Sequence, residues 1–202
     1  ALIASAAVEL AERDGHGMLA LVGPSGSGKS SLLAAGVLGH EVSEGALVGW
    51  NATAIPVIRL LATPRPVLPG EPPHQLVVVD QVEEALALPD APRQQFLDAL
   101  AALTGRAVVV LGVRSEAFGA AGFEPVLAAA MAAPILLPAP GLGDLRDVIV
   151  RPAESMGIAV DDDLLRVLLA ELAPGPDDRV APGALPLLSN ALLLIWAVSN
   201  GR

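Results

Sequence analysis

The fold is decided by Leu19-Ala20-Leu21-Val22-Gly23-Pro24-Ser25-Gly26-Ser27-Gly28-Lys29-Ser30-Ser31, an apolar run followed by a glycine-rich turn and a Lys-Ser pair. Residues 23–30 match G-x-x-x-x-G-K-[ST], the phosphate-binding P-loop. The apolar run predicts a buried strand that ends at Gly23, and the following glycines let the backbone N–H groups turn inward. A helix that begins near Lys29 directs its positive end toward the same space. A chance glycine-serine turn is the alternative, and the strand–loop–helix context argues against it.

Two side chains add chemistry to this backbone cradle. Lys29 supplies a positive charge for the β- and γ-phosphates, and the Ser30 hydroxyl is placed to bind Mg²⁺. Lys29 is the only lysine in the chain, which favours a site residue over a solvated surface residue. The predicted nucleotide-binding residues of the loop are Gly23, Pro24, Ser25, Gly26, Ser27, Gly28, Lys29, Ser30 and Ser31.

Length and composition point to a single α/β domain with a small helical appendage. The chain has 202 residues, of which 53% are hydrophobic and only 2% aromatic, so we expect a sizeable aliphatic core. A net charge of -10 argues against a nucleic-acid surface, which needs clustered Lys and Arg. The absence of cysteine excludes disulfides and zinc–thiolate sites and fits a cytoplasmic protein.

Residues 180–201 form an uncharged stretch that is long enough to cross a membrane. Because the stretch contains Pro182, Gly183, Pro186 and Asn190, we interpret it as a buried helix and expect no membrane association. No signal peptide is visible at the N-terminus, since a basic segment and a cleavage pattern are missing.

A second nucleotide motif follows the P-loop in Leu76-Val77-Val78-Val79-Asp80. The unbroken aliphatic run predicts a strand buried on both faces of a parallel sheet. Asp80 then lies at the carboxyl end of that strand, where open α/β sheets bind ligands, and we expect its carboxylate to hold Mg²⁺ through the water shell of the ion. Asp80 as the cap of the next helix is a compatible alternative.

The acids after Asp80 are candidates for the general base. Many P-loop ATPases carry an acid directly after the metal-binding Asp, but this chain has Gln81 there, and its nearest acids are Glu83 and Glu84. Either acid could polarise the attacking water, with a slight preference for Glu84. Alternatively, both are first-turn acids favoured by the helix dipole.

Arg114 ends another predicted strand, Ala107 to Val113, at the same sheet edge as the P-loop. A guanidinium at that edge faces the phosphates, so we expect a γ-phosphate sensor. The alternative is a salt bridge to a carboxylate such as Glu116.

The other elements complete a three-layer α/β/α sheet of about five parallel strands. Residues 54–61 have strand composition, and Pro56 within them predicts an edge strand. A proline-rich surface loop is expected at 63–73 and a last short strand at 135–138. The predicted helices of this part are 1–13, 29–38 (closing near Gly39), 92–103 and 123–131.

The sequence pattern changes after residues 140–143. Helical periodicity predicts helices at 144–156, 161–173 and 186–198, with a loop at 174–178. We therefore predict a P-loop core at 1–143 and a small all-helical lid at 144–202.

Together these segments resemble the STAND-class P-loop NTPases, most closely the bacterial novel STAND domains that are often attached to WD40-type repeats. The P-loop is common to a superfamily, whereas Asp-Gln-x-Glu-Glu and Gly-Ala-Leu-Pro-Leu-Leu are more specific, and the resemblance covers nearly the whole chain. It is carried by residues 21–32, 77–84, 113–115 and 182–188, with Ala191, Leu192 and Trp196 beyond them.

The resemblance implies an AAA+/STAND-like strand order and a signalling switch gated by ATP or ADP with Mg²⁺. Slow hydrolysis or exchange would alter the lid and permit self-oligomerisation. Carried over by motif, Lys29 binds phosphate, Ser30 and Asp80 bind Mg²⁺, Arg114 looks like the γ-phosphate sensor and Pro186 looks like the lid proline that touches the base.

Two departures from the family pattern predict a fragment of a larger multidomain protein. Nothing like the family's Phe-Gly-Arg segment precedes Leu2, and no winged helix or repeat follows the lid. The full-length protein is therefore expected to carry flanking effector and sensor domains.

Two other function classes compete with a slow ATPase. Gln81 in place of an acid favours a nucleotide-locked interaction scaffold without turnover. A P-loop kinase or a transporter ATPase is less favoured, because a Ser-Gly-Gly-Gln-like signature is absent and the lid has few basic residues.

Overall fold

The computed structural model describes residues 2–62, 68, 74–173, 180 and 183–199. Within them lies a five-stranded parallel sheet of order β2-β3-β4-β1-β5, which confirms the predicted α/β class and strand order. The strands are β1 (Gly17–Gly23), β2 (Asn51–Ala54), β3 (Gln75–Val79), β4 (Val108–Arg114) and β5 (Ile135–Leu136).

Helices precede, connect and follow these strands. A π-helical segment, Leu32–Glu41, continues α2, and a short 3₁₀ turn, Ser115–Ala117, follows β4. The α-helices are α1 (Leu2–Asp14), α2 (Lys29–Ser31), α3 (Val57–Ala62), α4 (Val82–Leu86), α5 (Asp90–Thr104), α6 (Phe118–Gly122), α7 (Pro125–Ala132), α8 (Leu142–Ser155), α9 (Asp162–Leu172) and α10 (Ala184–Ser199).

Alternate strand residues supply separate apolar layers on the two faces of the sheet. Val77 and Val79 of β3 pack into the layer that contains Phe96 of α5. Leu76 and Val78 belong to the other layer, with α1 and the π-helical segment. Because both faces are covered, every residue of β3 is buried, which explains its unbroken aliphatic run.

The chain forms two compact units. The first unit comprises residues 1–23 and 29–137, and the second comprises residues 24–28 and 138–202. The second unit has its own aliphatic core on α8, α9 and α10, which includes Leu145, Leu165 and Leu188. The turn of the P-loop therefore belongs with the C-terminal helices.

The predicted strand at 54–61 is wrong, because Ala54 is its only residue that lies in a strand. The strand β2 ends at Ala54, and α3 occupies 57–62, although β2 does lie at the sheet edge. Pro56 is the reason, because its ring suits the start of a helix and its carbonyl accepts from Arg59 N at 2.9 Å. The proline thus begins a helix rather than interrupting a strand.

Three helix predictions also need correction. The helix after the P-loop does not close near Gly39, which lies inside the π-helical segment. The helix predicted at 123–131 begins at Pro125 and is preceded by α6. The third correction concerns α10, which is not a buried helix: Ala184 and Leu188 are buried, whereas Leu187, Leu193 and Val198 are exposed.

The predicted loops at 63–73 and 174–178 lie outside the described residues, except for Leu68. Among the helices that the structure describes, none combines the length and apolar character needed to cross a membrane.

Candidate functional site

The P-loop turn joins β1 to α2 through left-handed glycines. Gly26 has φ +73° and Gly28 has φ +88°, a backbone region that other L-residues rarely adopt. Within the turn, Ser27 N donates to Pro24 O at 3.3 Å. The glycines of the motif are therefore needed for the turn itself.

Lys29 is buried and held close to the end of β1. The residue is 8% exposed, and its Nζ donates to Gly23 O at 2.7 Å. Burial lowers the pKa of Lys29, while the negative charges of Glu83 and Asp80 act in the opposite direction. The ammonium therefore belongs to a cluster of charges at the ends of the strands.

The strands β3, β4 and β1 are neighbours, so their carboxyl ends bring distant residues together. Gly23 is in register with Arg114, and Val79 is in register with Leu111. Asp80 follows Val79 and accepts from Gln81 N through Oδ1 at 2.9 Å. The sheet thus brings Asp80 and Arg114 to the edge at which the P-loop begins.

Gly112 of β4 makes room for the Asp80 carboxylate. A Cβ built on residue 112 would overlap Asp80 Oδ1 and would lie 3.0 Å from Leu33 Cδ1. A glycine inside an otherwise aliphatic strand signals a close approach of this kind. The sequence analysis missed this contribution of Gly112, although that signal was present.

Glu83 contacts Arg114 through both of its carboxylate oxygens. Arg114 Nε lies 2.9 Å from Glu83 Oε1, and the Arg114 backbone N–H donates to Glu83 Oε2 at 3.2 Å. The two side chains are 45% and 15% exposed, respectively. The ion pair considered for Arg114 therefore exists with Glu83, whereas the sequence analysis named Glu116 as an example of a partner. The sensor role of Arg114 stays a prediction.

The other candidate acid, Glu84, lies on the same short helix as Glu83 and is exposed. Gln81 precedes this helix with φ 57°, the one positive φ of a non-glycine residue in the described part of the chain. The general-base role of Glu83 or Glu84 stays a prediction.

The residues predicted to hold Mg²⁺ offer a hydroxyl and a carboxylate. Ser30 is exposed on α2, and Asp80 is held against Gly112. This donor set suits Mg²⁺, which keeps several waters and takes one or two carboxylates together with substrate phosphates. In the described ranges no group of three or more His, Cys, Asp or Glu side chains is placed to bind a metal ion.

In the second unit, the P-loop turn contacts residues near the start of α10. A Cβ on Gly26 would lie 2.9 Å from Gly183 Cα and 3.3 Å from Pro186 Cδ. The Ser27 hydroxyl is buried and has no hydrogen-bond partner among the described residues. A cavity of about 70 Å³ is lined by Pro24, Ser25, Gly26, Ser27, Ala139, Pro140, Val180, Gly183 and Ala184.

The family model described as Novel STAND NTPase 1 matches residues 1–202. No curated protein matches the sequence.

Solved structures share the fold at low sequence identity. Domain III of the Thermotoga maritima replication initiation protein DnaA has a TM-score of 0.66 and 14% identity over 100% of this chain and 85% of that chain. The Aeropyrum pernix ORC2 protein in its ADP form has a TM-score of 0.64 and 14% identity, over 100% of this chain and 63% of the ORC2 chain. Thermotoga maritima RuvB has a TM-score of 0.53 and 18% identity, over 98% of this chain and 62% of the RuvB chain. The chain thus spans less than two thirds of the ORC2 and RuvB chains.

Proposed function

The chain belongs to the Novel STAND NTPase 1 family, and from this premise we propose that it binds ATP or ADP with Mg²⁺ and hydrolyses ATP slowly as a conformational switch. The observation that carries the proposal is the convergence of Lys29, Asp80 and Arg114 at the carboxyl ends of adjacent strands. Nucleotide binding in solved structures of similar fold also supports it, since an Aquifex aeolicus DnaA structure is AMPPCP-bound.

Each residue of this edge has a proposed role. The backbone N–H groups of the P-loop and the Lys29 ammonium bind the phosphates. Ser30 and Asp80 would hold Mg²⁺, which would supply positive charge to neutralise the transferred phosphoryl group. Arg114 contacts the γ-phosphate. Glu83 and Glu84 are the acids near the attacking water, and the ion pair with Arg114 distinguishes Glu83 from the exposed Glu84.

The switch is proposed to act through the P-loop turn. Residues 24–28 pack within the second unit, where Gly26 lies against Gly183 and Pro186. A phosphate bound by this turn therefore changes the surroundings of the start of α10. We propose residues 1–143 as the core and 144–202 as the helical lid, with Pro186 touching the base.

The partners of the switch remain proposals as well. We propose self-oligomerisation and flanking effector or sensor domains, together with a cytoplasmic location. A DnaA structure contains single-stranded DNA, but the net charge of -10 of this chain favours no nucleic-acid partner.

Calorimetric titration with Mg-ATP tests the proposed binding. Lys29→Ala is expected to abolish binding, because it removes the ammonium beside the P-loop. Arg13→Ala is the control, since Arg13 pairs with Asp14 on the exposed side of α1. Unchanged affinity in Lys29→Ala, with the fold confirmed by circular dichroism, would sink the proposal.

A second candidate function is a scaffold that binds nucleotide without turnover, which Gln81 favours. Phosphate-release kinetics separate it from the ATPase. Turnover that disappears in the Glu83→Gln/Glu84→Gln double variant supports the ATPase, whereas no turnover in the unaltered chain supports the scaffold.

A further inference from the structure

The contact between Glu83 and Arg114 has a specific geometry. One carboxylate oxygen meets the guanidinium through Nε at 2.9 Å, and the other accepts from the Arg114 backbone N–H at 3.2 Å. A two-point contact of this kind fixes both the position of the arginine backbone and the direction of its side chain. The end of β4 is thereby tied to the first turn of α4.

This contact leaves the two terminal nitrogens of the Arg114 guanidinium available. An arginine side chain has five N–H donors, of which Nε carries one and the two terminal nitrogens carry four. The recorded ion pair uses Nε, and the Arg114 side chain is 45% exposed. The terminal nitrogens are therefore in a position to meet an oxyanion while Glu83 holds the Nε side.

Both oxygens of Glu83 are already engaged by Arg114: Oε2 accepts a hydrogen bond from the backbone N–H, and Oε1 forms the ion pair with Nε. A general base needs a carboxylate oxygen directed at the attacking water. In Glu83 the two oxygens are directed at one arginine, and the side chain is only 15% exposed. This geometry suits an orienting role better than proton abstraction.

We propose that Glu83 is a positioning residue, which orients the terminal nitrogens of Arg114 toward the γ-phosphate of a bound nucleoside triphosphate. The proposal rests on the proposed function, because it presupposes nucleotide at the P-loop. It follows that Glu83 governs the preference for ATP over ADP, since only ATP carries the γ-phosphate that Arg114 would contact.

The test is a double-variant cycle on the ratio of the ADP to the ATP dissociation constant, measured with Mg²⁺. Glu83→Gln and Arg114→Ala are each expected to lower this ratio by about tenfold, the effect of losing roughly one hydrogen bond to a charged group, with little change in ADP affinity. The double variant is expected to lower it no further than Arg114→Ala alone, because both changes remove the same contact.

Glu116→Gln is the matched control. It removes a carboxylate two positions from Arg114 that also contributes to the potential at Lys29. The substitution therefore reproduces the change in charge but keeps the contact between Glu83 and Arg114. Its ratio is expected to stay within about twofold, the range of a weak surface effect. Glu83→Asp provides a second variant in case Glu83→Gln fails to fold, and its shorter side chain should also lower the ratio.

Additive effects of Glu83→Gln and Arg114→Ala would overturn this inference, and so would a Glu83→Gln variant that loses phosphate release but keeps its ATP preference. In either case Mg-ATP binding that depends on Lys29 would leave the proposed function standing. Failure of the unaltered chain to bind any nucleotide would overturn both proposals.

Discussion

Asp80 and Gly112 lie side by side at the carboxyl ends of β3 and β4, and Asp80 Oδ1 occupies the space that a Cβ on residue 112 would need. Asp80 directly follows β3 and Gly112 lies on the adjacent strand β4, since Val79 is in register with Leu111. The position of the candidate Mg²⁺ carboxylate therefore depends on the absence of a side chain on the neighbouring strand.

Gly112→Ala is expected to displace the Asp80 carboxylate. Overpacking of this kind lowers the free energy of unfolding by about 1–3 kcal/mol, and we expect the Mg²⁺-dependent part of ATP affinity to fall with it. Urea unfolding and titrations with and without Mg²⁺ measure the two effects. Gly105→Ala is the control, because a Cβ there meets nothing within 4 Å. Equal behaviour of the two variants would contradict the prediction.

Ser27→Ala is expected to raise the free energy of unfolding. The Ser27 hydroxyl is buried and lacks a partner among the described residues, and burial of such a group costs about 1–3 kcal/mol. The exposed Ser5 on α1 is the control, where Ser5→Ala should stabilise by about 0.5 kcal/mol through helix propensity. A loss of stability in Ser27→Ala, measured by thermal unfolding without nucleotide, would be inconsistent with an unsatisfied hydroxyl.

Gly26→Ala is expected to destabilise the protein more than Gly183→Ala. Both glycines have positive φ, +73° and +80°, so each substitution costs roughly 1–2 kcal/mol in backbone strain. Only at Gly26 would the new Cβ also meet backbone, 2.9 Å from Gly183 Cα, whereas at Gly183 it meets nothing within 4 Å. Chemical denaturation measures the free energy of unfolding of both variants. Equal decreases would contradict the packing of Gly26 against Gly183.

The stability of the protein is expected to rise with pH through Lys29. In the folded protein, burial lowers the pKa of Lys29 below its ordinary value of 10.5. Between the lowered pKa and 10.5, the unfolded chain holds a proton that the folded chain has released, so raising the pH favours folding. Below the lowered pKa both states are protonated and the contribution of Lys29 is unfavourable and constant.

The measurement compares the unaltered chain with Lys29→Met, which removes the titrating amine but keeps an unbranched apolar chain. The difference in the free energy of unfolding should move in favour of the unaltered protein as the pH rises toward 10.5. A difference that is flat or moves the other way across this range would refute a lowered Lys29 pKa.

Local patterns predicted the strands and the loop that form the centre of the site. The strands β1, β3 and β4 were identified because buried parallel strands need unbroken aliphatic runs. Where one residue supports two outcomes, the local pattern failed: Pro56 fits an edge strand as well as a helix start, and the helix was found. The apolar residues of α10 likewise did not reveal that much of this helix is exposed to solvent.

The sequence by itself determined the phosphate loop, the single lysine within it and the class of the sheet, because each depends on the composition and spacing of neighbouring residues. Only the tertiary structure decided that Glu83, rather than Glu116, pairs with Arg114, and that Gly112 makes room for Asp80. Glu83 and Arg114 are 31 residues apart in the sequence, and Asp80 and Gly112 are 32 apart. Their meeting depends on strand order and register. A contact between residues that are distant in the sequence is a property of the folded chain, since no local pattern specifies which carboxylate an arginine will reach.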